Sequence, residues 1–351
     1  MRDKNKLKPG LLAEPILVGR ECELEQLHSL LNLAIEGKGN TVFVSGEAGV
    51  GKTRLVNEFL NSAKKQAVTF LTGWCFSNAA VPYFPFFEAF RRYFSKEAET
   101  KELDIKNLFV GPTQGAKLGN PQIITPQIWK DQTFTAVAST LVSISKKHPV
   151  ILFIDDLHWA DSASCALLHY LANIINSEKI LIIATFRTEQ LADDNNGRPH
   201  PLLETLRLMR RQDLIKEINI LNLEENGVSQ LARSMLGSSL QQEFTRKLTE
   251  ESQGNPLFIV ESIRMLNESK CIIQEHDKWR LTSTTIGIPP KIKDVILQRL
   301  GSLLNTQRNV LEAASVIGEE FDSTLLSTVL ERDSIEIIKT LDAIASDTPL
   351  V

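Results

Sequence analysis

An α/β fold, with a parallel sheet flanked by helices and followed by smaller helical domains, is what this sequence predicts. Three observations carry it. Two continuous apolar runs, Val150-Ile151-Leu152-Phe153-Ile154 and Ile180-Leu181-Ile182-Ile183-Ala184, have the length and composition of strands buried on both faces. A third run, Thr41-Val42-Phe43-Val44, enters a glycine-rich turn, and apolar residues then recur at helical spacing through Leu55, Val56, Phe59 and Leu60. From Glu224 onward the strand-like runs stop and helical spacing dominates.

The turn is the most informative stretch. Its string Gly46-Glu47-Ala48-Gly49-Val50-Gly51-Lys52-Thr53 has the G-x-x-x-x-G-K-[ST] spacing of a phosphate-binding loop, in the strand–turn–helix context that the motif needs. Glycines let the backbone curl so that several N–H groups point at one anion, and the helix N-terminus adds partial positive charge. Lys52 is expected to reach the β- and γ-phosphates of a nucleoside triphosphate, with the Thr53 hydroxyl on Mg²⁺. Arg54 follows directly.

The second stretch is the end of the run at 150–154, where Asp155-Asp156 follow. Ligands of open α/β sheets sit at the carboxyl ends of the strands. In a chain with a phosphate loop, two acids there read as a Walker B site. Asp155 is expected to hold Mg²⁺, directly or through water, and Asp156 to polarise the attacking water. Arg187, just past the run at 180–184, either senses the γ-phosphate or is a solvated charge.

Composition sets the outer bounds. The chain has 351 residues, 42% hydrophobic and 23% charged, as expected of two or three ordinary globular domains. No apolar run reaches the ~18 residues of a membrane span, and the polar start lacks the core of a signal peptide, so the expected location is cytoplasmic. Cys22, Cys75, Cys165 and Cys271 are too dispersed for a zinc pattern and are expected as buried free thiols. The net charge of −4 argues against a general nucleic-acid-binding surface.

The remaining elements follow in chain order. Pro15 to Glu21 reads as an entry turn, with Arg20 a solvated charge, to an amphipathic helix through Leu24, Leu27, Leu30 and Leu31. A strand is expected at 67–73, and an aromatic-rich helix start near Glu88. Residues 95–129 hold no period and are read as an irregular insertion. A helix spans 131–146. Asp161 is placed to N-cap the helix through Leu167, Leu168 and Leu171, and His158 and Trp159 pack the turn before it or gate the γ-phosphate. Residues 193–199 form an exposed loop. Arg207, Arg210 and Arg211 sit late in a helix, where they partner its dipole or supply a trans-acting arginine. An edge strand is expected at 214–218 and a hairpin at 271–281. Three amphipathic helices begin near Lys291, Thr306 and Ser323. The expected domains are 1–222, a nucleotide-binding core; 223–285, a helical lid; and 286–351, a partial winged-helix-like domain.

Taken together, Val18-Gly19-Arg20-Glu21, the phosphate loop, Asp155-Asp156-Leu157-His158-Trp159-Ala160-Asp161, Thr185-Phe186-Arg187 and Gly254-Asn255-Pro256-Leu257-Phe258 resemble, in that order, the nucleotide-binding module of STAND ATPases (signal-transduction ATPases with numerous domains). The branch is the AAA ATPase-like one found in large LuxR-type regulators, class III adenylate cyclases and archaeal ATP-binding proteins. The resemblance runs from Pro15 to the C-terminus, and its most specific element is the string from Asp155 to Asp161. It implies a P-loop NTPase core, an ATP/ADP and Mg²⁺ site, and weak regulatory ATP hydrolysis. It places Val18, Gly19 and Arg20 on the adenine side, makes Arg187 sensor 1, and gives Pro256 a contact to the base from the lid. It also implies a sensor or effector domain beyond Val351 or a protein partner, and possible nucleotide-dependent oligomers. Two alternatives stand beside it: a DNA-acting AAA+ ATPase resembling archaeal replication initiators, and a nucleotide-binding scaffold without hydrolysis. Charge separates the first, because residues 286–351 carry six Lys/Arg against ten Asp/Glu, the wrong balance for a DNA-contacting face.

Overall fold

The computed structural model describes residues 12–76, 81–96, 125–191, 199–276, 278–282, 286–318 and 321–347. The chain divides into two compact units, one built on Leu17–Leu191 and Pro199–Leu221, the other mainly on Asn222–Val351.

The first unit is a five-stranded parallel sheet between two layers of helices. Its strands are β1 (Asn40–Ser45), β2 (Thr69–Trp74), β3 (Val150–Asp155), β4 (Ile180–Phe186) and β5 (Ile215–Asn219), in the order β2-β3-β4-β1-β5. Its helices are α1 (Glu21–Ile35), α2 (Lys52–Ala63), α3 (Phe84–Lys96), α4 (Pro126–Ser145), α5 (Ser162–Ile174) and α6 (Pro201–Arg211). Successive strand side chains point to opposite faces, so each central run feeds two cores. Ile151, Phe153, Leu181 and Ile183 pack with Leu27, Leu31, Leu55 and Phe59 from α1 and α2. Leu152, Ile154, Ile182 and Ala184 pack with Phe90, Leu141, Leu168 and Leu206 from the other four helices. Double-sided burial is why these strands read as unbroken apolar runs. The strand at 214–218 lies at the sheet edge as expected, and Lys216 and Glu217 are exposed on it.

Several expectations need correction. The supposedly irregular stretch 95–129 begins and ends in helix: α3 runs to Lys96, and α4 starts at Pro126, where Thr125 Oγ1 accepts from Ile128 N–H at 3.3 Å. A Thr-Pro pair at N-cap and N1 is an adequate start signal, and the weak apolar period behind it hid the helix. The rest of that stretch, with most of the loop at 193–199, lies outside the described residues. Arg20 is not solvated: it is buried, and its guanidinium Nη2 donates to Leu221 O at 2.5 Å, just beyond β5. Cys75 and Cys165 are buried, whereas Cys22 is exposed on α1 and Cys271 is half-buried; all four are free thiols. Arg210 is held by Glu217 through two hydrogen bonds of 2.7 Å, so it is not an unengaged finger.

The second unit contains α7 (Glu225–Leu236), β6 (Ser239–Leu240), α8 (Gln242–Ser252), α9 (Pro256–Glu268), β7 (Ile272–Glu275) and β8 (Lys278–Leu281). The hairpin is present, with β7 antiparallel to β8; two-residue β6, too short to leave a period in sequence, adds a parallel edge. Among its described residues the C-terminal part has four helices where three were expected: α10 (Pro290–Ser302), α11 (Asn305–Ile317), α12 (Ser323–Leu330) and α13 (Ser334–Asp347). The extra break falls at Glu331. That residue takes φ 51°, and Arg332 N–H returns to Ser327 O, closing α12. Asp333 then caps α13 by accepting from Ile335 N–H at 2.8 Å. Val310, Ala314, Leu326 and Ile337 form the shared core of α11–α13.

Gly254, between α8 and α9, is a close-approach position. Its φ is +74°, and a Cβ there would lie 2.0 Å from Leu223 O, while Leu223 N–H donates to Gly254 O at 2.8 Å. Gly254→Ala combines left-handed backbone with a hard clash. We expect it to destabilise this unit by about 1–3 kcal/mol, seen as a lowered urea midpoint of the full chain.

Candidate functional site

The site lies at the carboxyl ends of β1, β3 and β4. Because β4 sits between β1 and β3, residues at its end stand between the phosphate loop and the paired acids. The loop itself is held against β5. Ile220 N–H donates to Ser45 O at 2.8 Å, and Gly46, with φ +146°, leaves no room for a Cβ, which would meet Ile220 O at 2.4 Å. Gly49 and Gly51 also have positive φ, and Gly51 occupies the N-cap of α2. Val50 and Ala48 anchor the loop by burial.

Lys52 curls back over the loop. Its Nζ donates to Gly46 O at 2.8 Å and to Glu47 O at 2.7 Å. Burial pushes its pKa down to about 8, against the attraction of Glu189; at neutral pH it remains mostly the ammonium. Thr53 Oγ1 donates to both oxygens of Asp155, at 3.0 and 3.1 Å. This joins the end of β3 to the start of α2. A hydroxyl and a carboxylate make a hard oxygen donor set, which fits Mg²⁺.

Thr185, fully buried at the end of β4, ties the two acids together. Its Oγ1 donates to Asp155 Oδ1 and accepts from Asp156 N–H at 2.9 Å. Asp156 takes φ 55°, in the left-handed region, which turns its side chain out of the strand direction. Burial, then the neighbouring Asp155 charge, raises its pKa, while Arg187 and Lys52 oppose that. Arg187 Nε stands 3.9 Å from Asp156 Oδ1. Arg187 therefore faces the acids and is not a freely solvated strand-end charge.

His158 is buried beneath this group in the turn Leu157–Trp159. Its Nδ1 accepts from Arg187 N–H at 3.4 Å. Burial, then Arg187, pushes its pKa down to about 3, so its 3.8 Å approach to Asp156 Oδ1 is made by a neutral ring and is not an ion pair. Asp161 caps α5 as expected, accepting from Ser164 N–H at 2.9 Å.

The structure thus brings Gly46 through Thr53, Asp155, Asp156 and Arg187 into one place. Arg54 is exposed on the first turn of α2. Val18 is buried, Gly19 has φ 64°, and Arg20 reaches Leu221 O at the exit of β5; all three belong to the same unit. Pro256 belongs to the second unit, where it opens α9 behind the Asn255 cap, whose Oδ1 accepts from Leu257 N–H at 3.0 Å. Sequence reading gave no role to the Thr185 hydroxyl. The available signal was a lone polar residue closing a strand beside the acids. Glu189, whose Oε1 accepts from Ala48 N–H at 2.9 Å, left no sequence signal.

A parallel sheet carrying such a loop and paired acids on separated strands defines a P-loop NTPase. Residues 16–183 match the AAA ATPase domain family. Residues 224–280 match a family described as a domain of unknown function. An uncharacterised protein of Rhizobium meliloti is 23% identical over 335 residues, an alignment covering 90% of this chain and 31% of that protein. The chain thus spans under a third of that relative's length. Among solved structures, a Walker-type ATPase of Pyrococcus abyssi shares the fold, with a TM-score of 0.51 at 14% identity over 92% of this chain and 89% of that one. A STAND protein with a tetratricopeptide repeat sensor from Pyrococcus horikoshii gives 0.39 at 17% identity, covering 94% of this chain and 39% of its own. Among the described residues, no helix is long and apolar enough to cross a membrane.

Proposed function

We propose that this chain is the ATP-binding part of a STAND-type signal-transduction ATPase, a regulatory switch with slow Mg²⁺-dependent hydrolysis. The observation that carries the reading is the Thr53–Asp155–Thr185 linkage, which couples the phosphate loop, the acid pair and the end of β4. ATP seated on the loop takes the Lys52 ammonium from the carbonyls of Gly46 and Glu47. Thr53 and Asp155 are the residues that would hold Mg²⁺, which neutralises phosphate charge when bound. Asp156 accepts a hydrogen bond from water at a carboxylate oxygen, and Arg187 steadies that carboxylate and the terminal phosphate. By motif resemblance alone, Val18, Gly19 and Arg20 are assigned the adenine side and Pro256 a contact to the base. The regulatory part of the reading rests on that resemblance too, on the absence of a second-substrate signature, and on a relative much longer than this chain.

A near-complete switch needs about 5.5 kcal/mol of differential binding between two states, and contacts to phosphate and metal are the kind that change between ATP and ADP. Phosphate release by the purified chain with Mg²⁺ is expected at about 10⁻² s⁻¹ or slower, and nucleotide released from the protein should be an adenine nucleotide. Multiple-turnover phosphoryl transfer to a small molecule, faster than this hydrolysis, would replace the switch by a metabolic enzyme. Salt-dependent duplex binding would instead favour a DNA-acting ATPase.

A further inference from the structure

The reading above leaves one carboxylate of the site unused. Glu189 sits in the short turn Thr188–Gln190, two residues past Arg187, and is half-buried. Its Oε1 takes the 2.9 Å hydrogen bond of Ala48 N–H. A phosphate-binding loop works by aiming main-chain N–H groups at anionic oxygens. Here one of those donors already serves an anionic oxygen from the chain itself.

The position of that donor says which phosphate is concerned. Lys52 Nζ donates to the carbonyls of Gly46 and Glu47, the two residues just before Ala48. Ala48 therefore lies at the end of the loop where the ammonium sits. That ammonium reaches the β- and γ-phosphates, whereas the N–H groups at the helix start face the inner ones. Glu189 is also the strongest of the charges that act on Lys52. Arg187, on the same short segment, faces Asp156.

We propose that Glu189 is a built-in anionic competitor for the terminal phosphate of the nucleotide. It holds Ala48 N–H and shares the field of Lys52, and a triphosphate must displace it from both before seating fully. Two anions cannot share one donor and one cation at close range without repulsion. A diphosphate, lacking the terminal group, meets less of that repulsion. Glu189 therefore biases the site toward ADP, and any partner that draws the turn 188–190 away from the loop favours ATP. This inference rests on the nucleotide-binding reading above.

Glu189→Gln is the direct test, because glutamine keeps an oxygen that can accept from Ala48 and removes only the charge. Calorimetry on the full chain with ATP and with ADP, each with Mg²⁺, is run on the parent, Glu189→Gln, Glu189→Ala and Lys52→Ala. Melting curves confirm that each variant is folded. The Gln variant is expected to bind ATP about tenfold more tightly than the parent and ADP less than about threefold more tightly. The Ala variant is expected to show the same ordering. Unchanged or weaker ATP binding in folded Gln and Ala variants overturns the inference, and so does an equal gain for ADP. If the parent binds ATP and Lys52→Ala loses it while the Glu189 variants gain nothing, the nucleotide reading stands and only the role of Glu189 falls. A folded parent and Gln variant that bind neither nucleotide overturn both.

Discussion

Lys52→Ala should weaken ATP binding at least about hundredfold. Its ammonium is the loop cation expected to follow the phosphates, since it is buried against the loop and donates to the carbonyls of Gly46 and Glu47. Those two hydrogen bonds are ready to be exchanged for bonds to phosphate oxygens, which are charge-assisted and stronger. Removing one partner of a desolvated charge pair costs about 3 kcal/mol, and that is about a hundredfold in affinity. Calorimetry with ATP and Mg²⁺ reads this directly. A folded variant that binds like the parent would mean that the loop is not the nucleotide site, and every role assigned around it would go with it.

Asp156→Asn should separate binding from hydrolysis. The backbone at residue 156 is left-handed, with φ 55°, a region that asparagine tolerates as well as aspartate does. Its N–H bond to Thr185 is main-chain and survives the substitution, and so does the Thr53–Asp155 pair. What disappears is the carboxylate whose pKa burial and Asp155 raise, the group proposed to take up a proton from water. Positioned general bases contribute typically about 10²- to 10⁴-fold, so phosphate release should fall by that order while the ATP affinity stays within a few-fold of the parent. Release unchanged in a variant that still binds ATP would favour a nucleotide-binding scaffold whose slow turnover does not use Asp156. An alanine there would be a poorer test, because it adds backbone strain to the loss of the carboxylate.

Local pattern in the chain determined the elements and most of the site. Buried strands announce themselves as apolar runs because both faces of β3 and β4 meet helices. The loop from Gly46 to Thr53 and the acids at 155 and 156 are consecutive residues whose chemistry depends on spacing alone. Short or weakly periodic pieces escaped for the converse reason. β6 is two residues long, and the start of α4 has no sustained apolar stripe. The Glu331 break depends on a backbone conformation that its residue type does not demand. What only tertiary structure decided is how residues far apart in sequence divide the work. Strand order sets Thr185 between the two motifs, buries Arg20 against Leu221, aims Arg187 at Asp156 and lays the Glu189 carboxylate on Ala48 N–H. Each of those contacts joins chain segments that neighbour because β4 inserts between β3 and β1, or because β5 pairs with β1 at the sheet edge. A one-dimensional pattern records what a residue is and how it is spaced. The sign of the charge that meets a loop amide is set by which strands pair, and pairing is a property of the folded sheet.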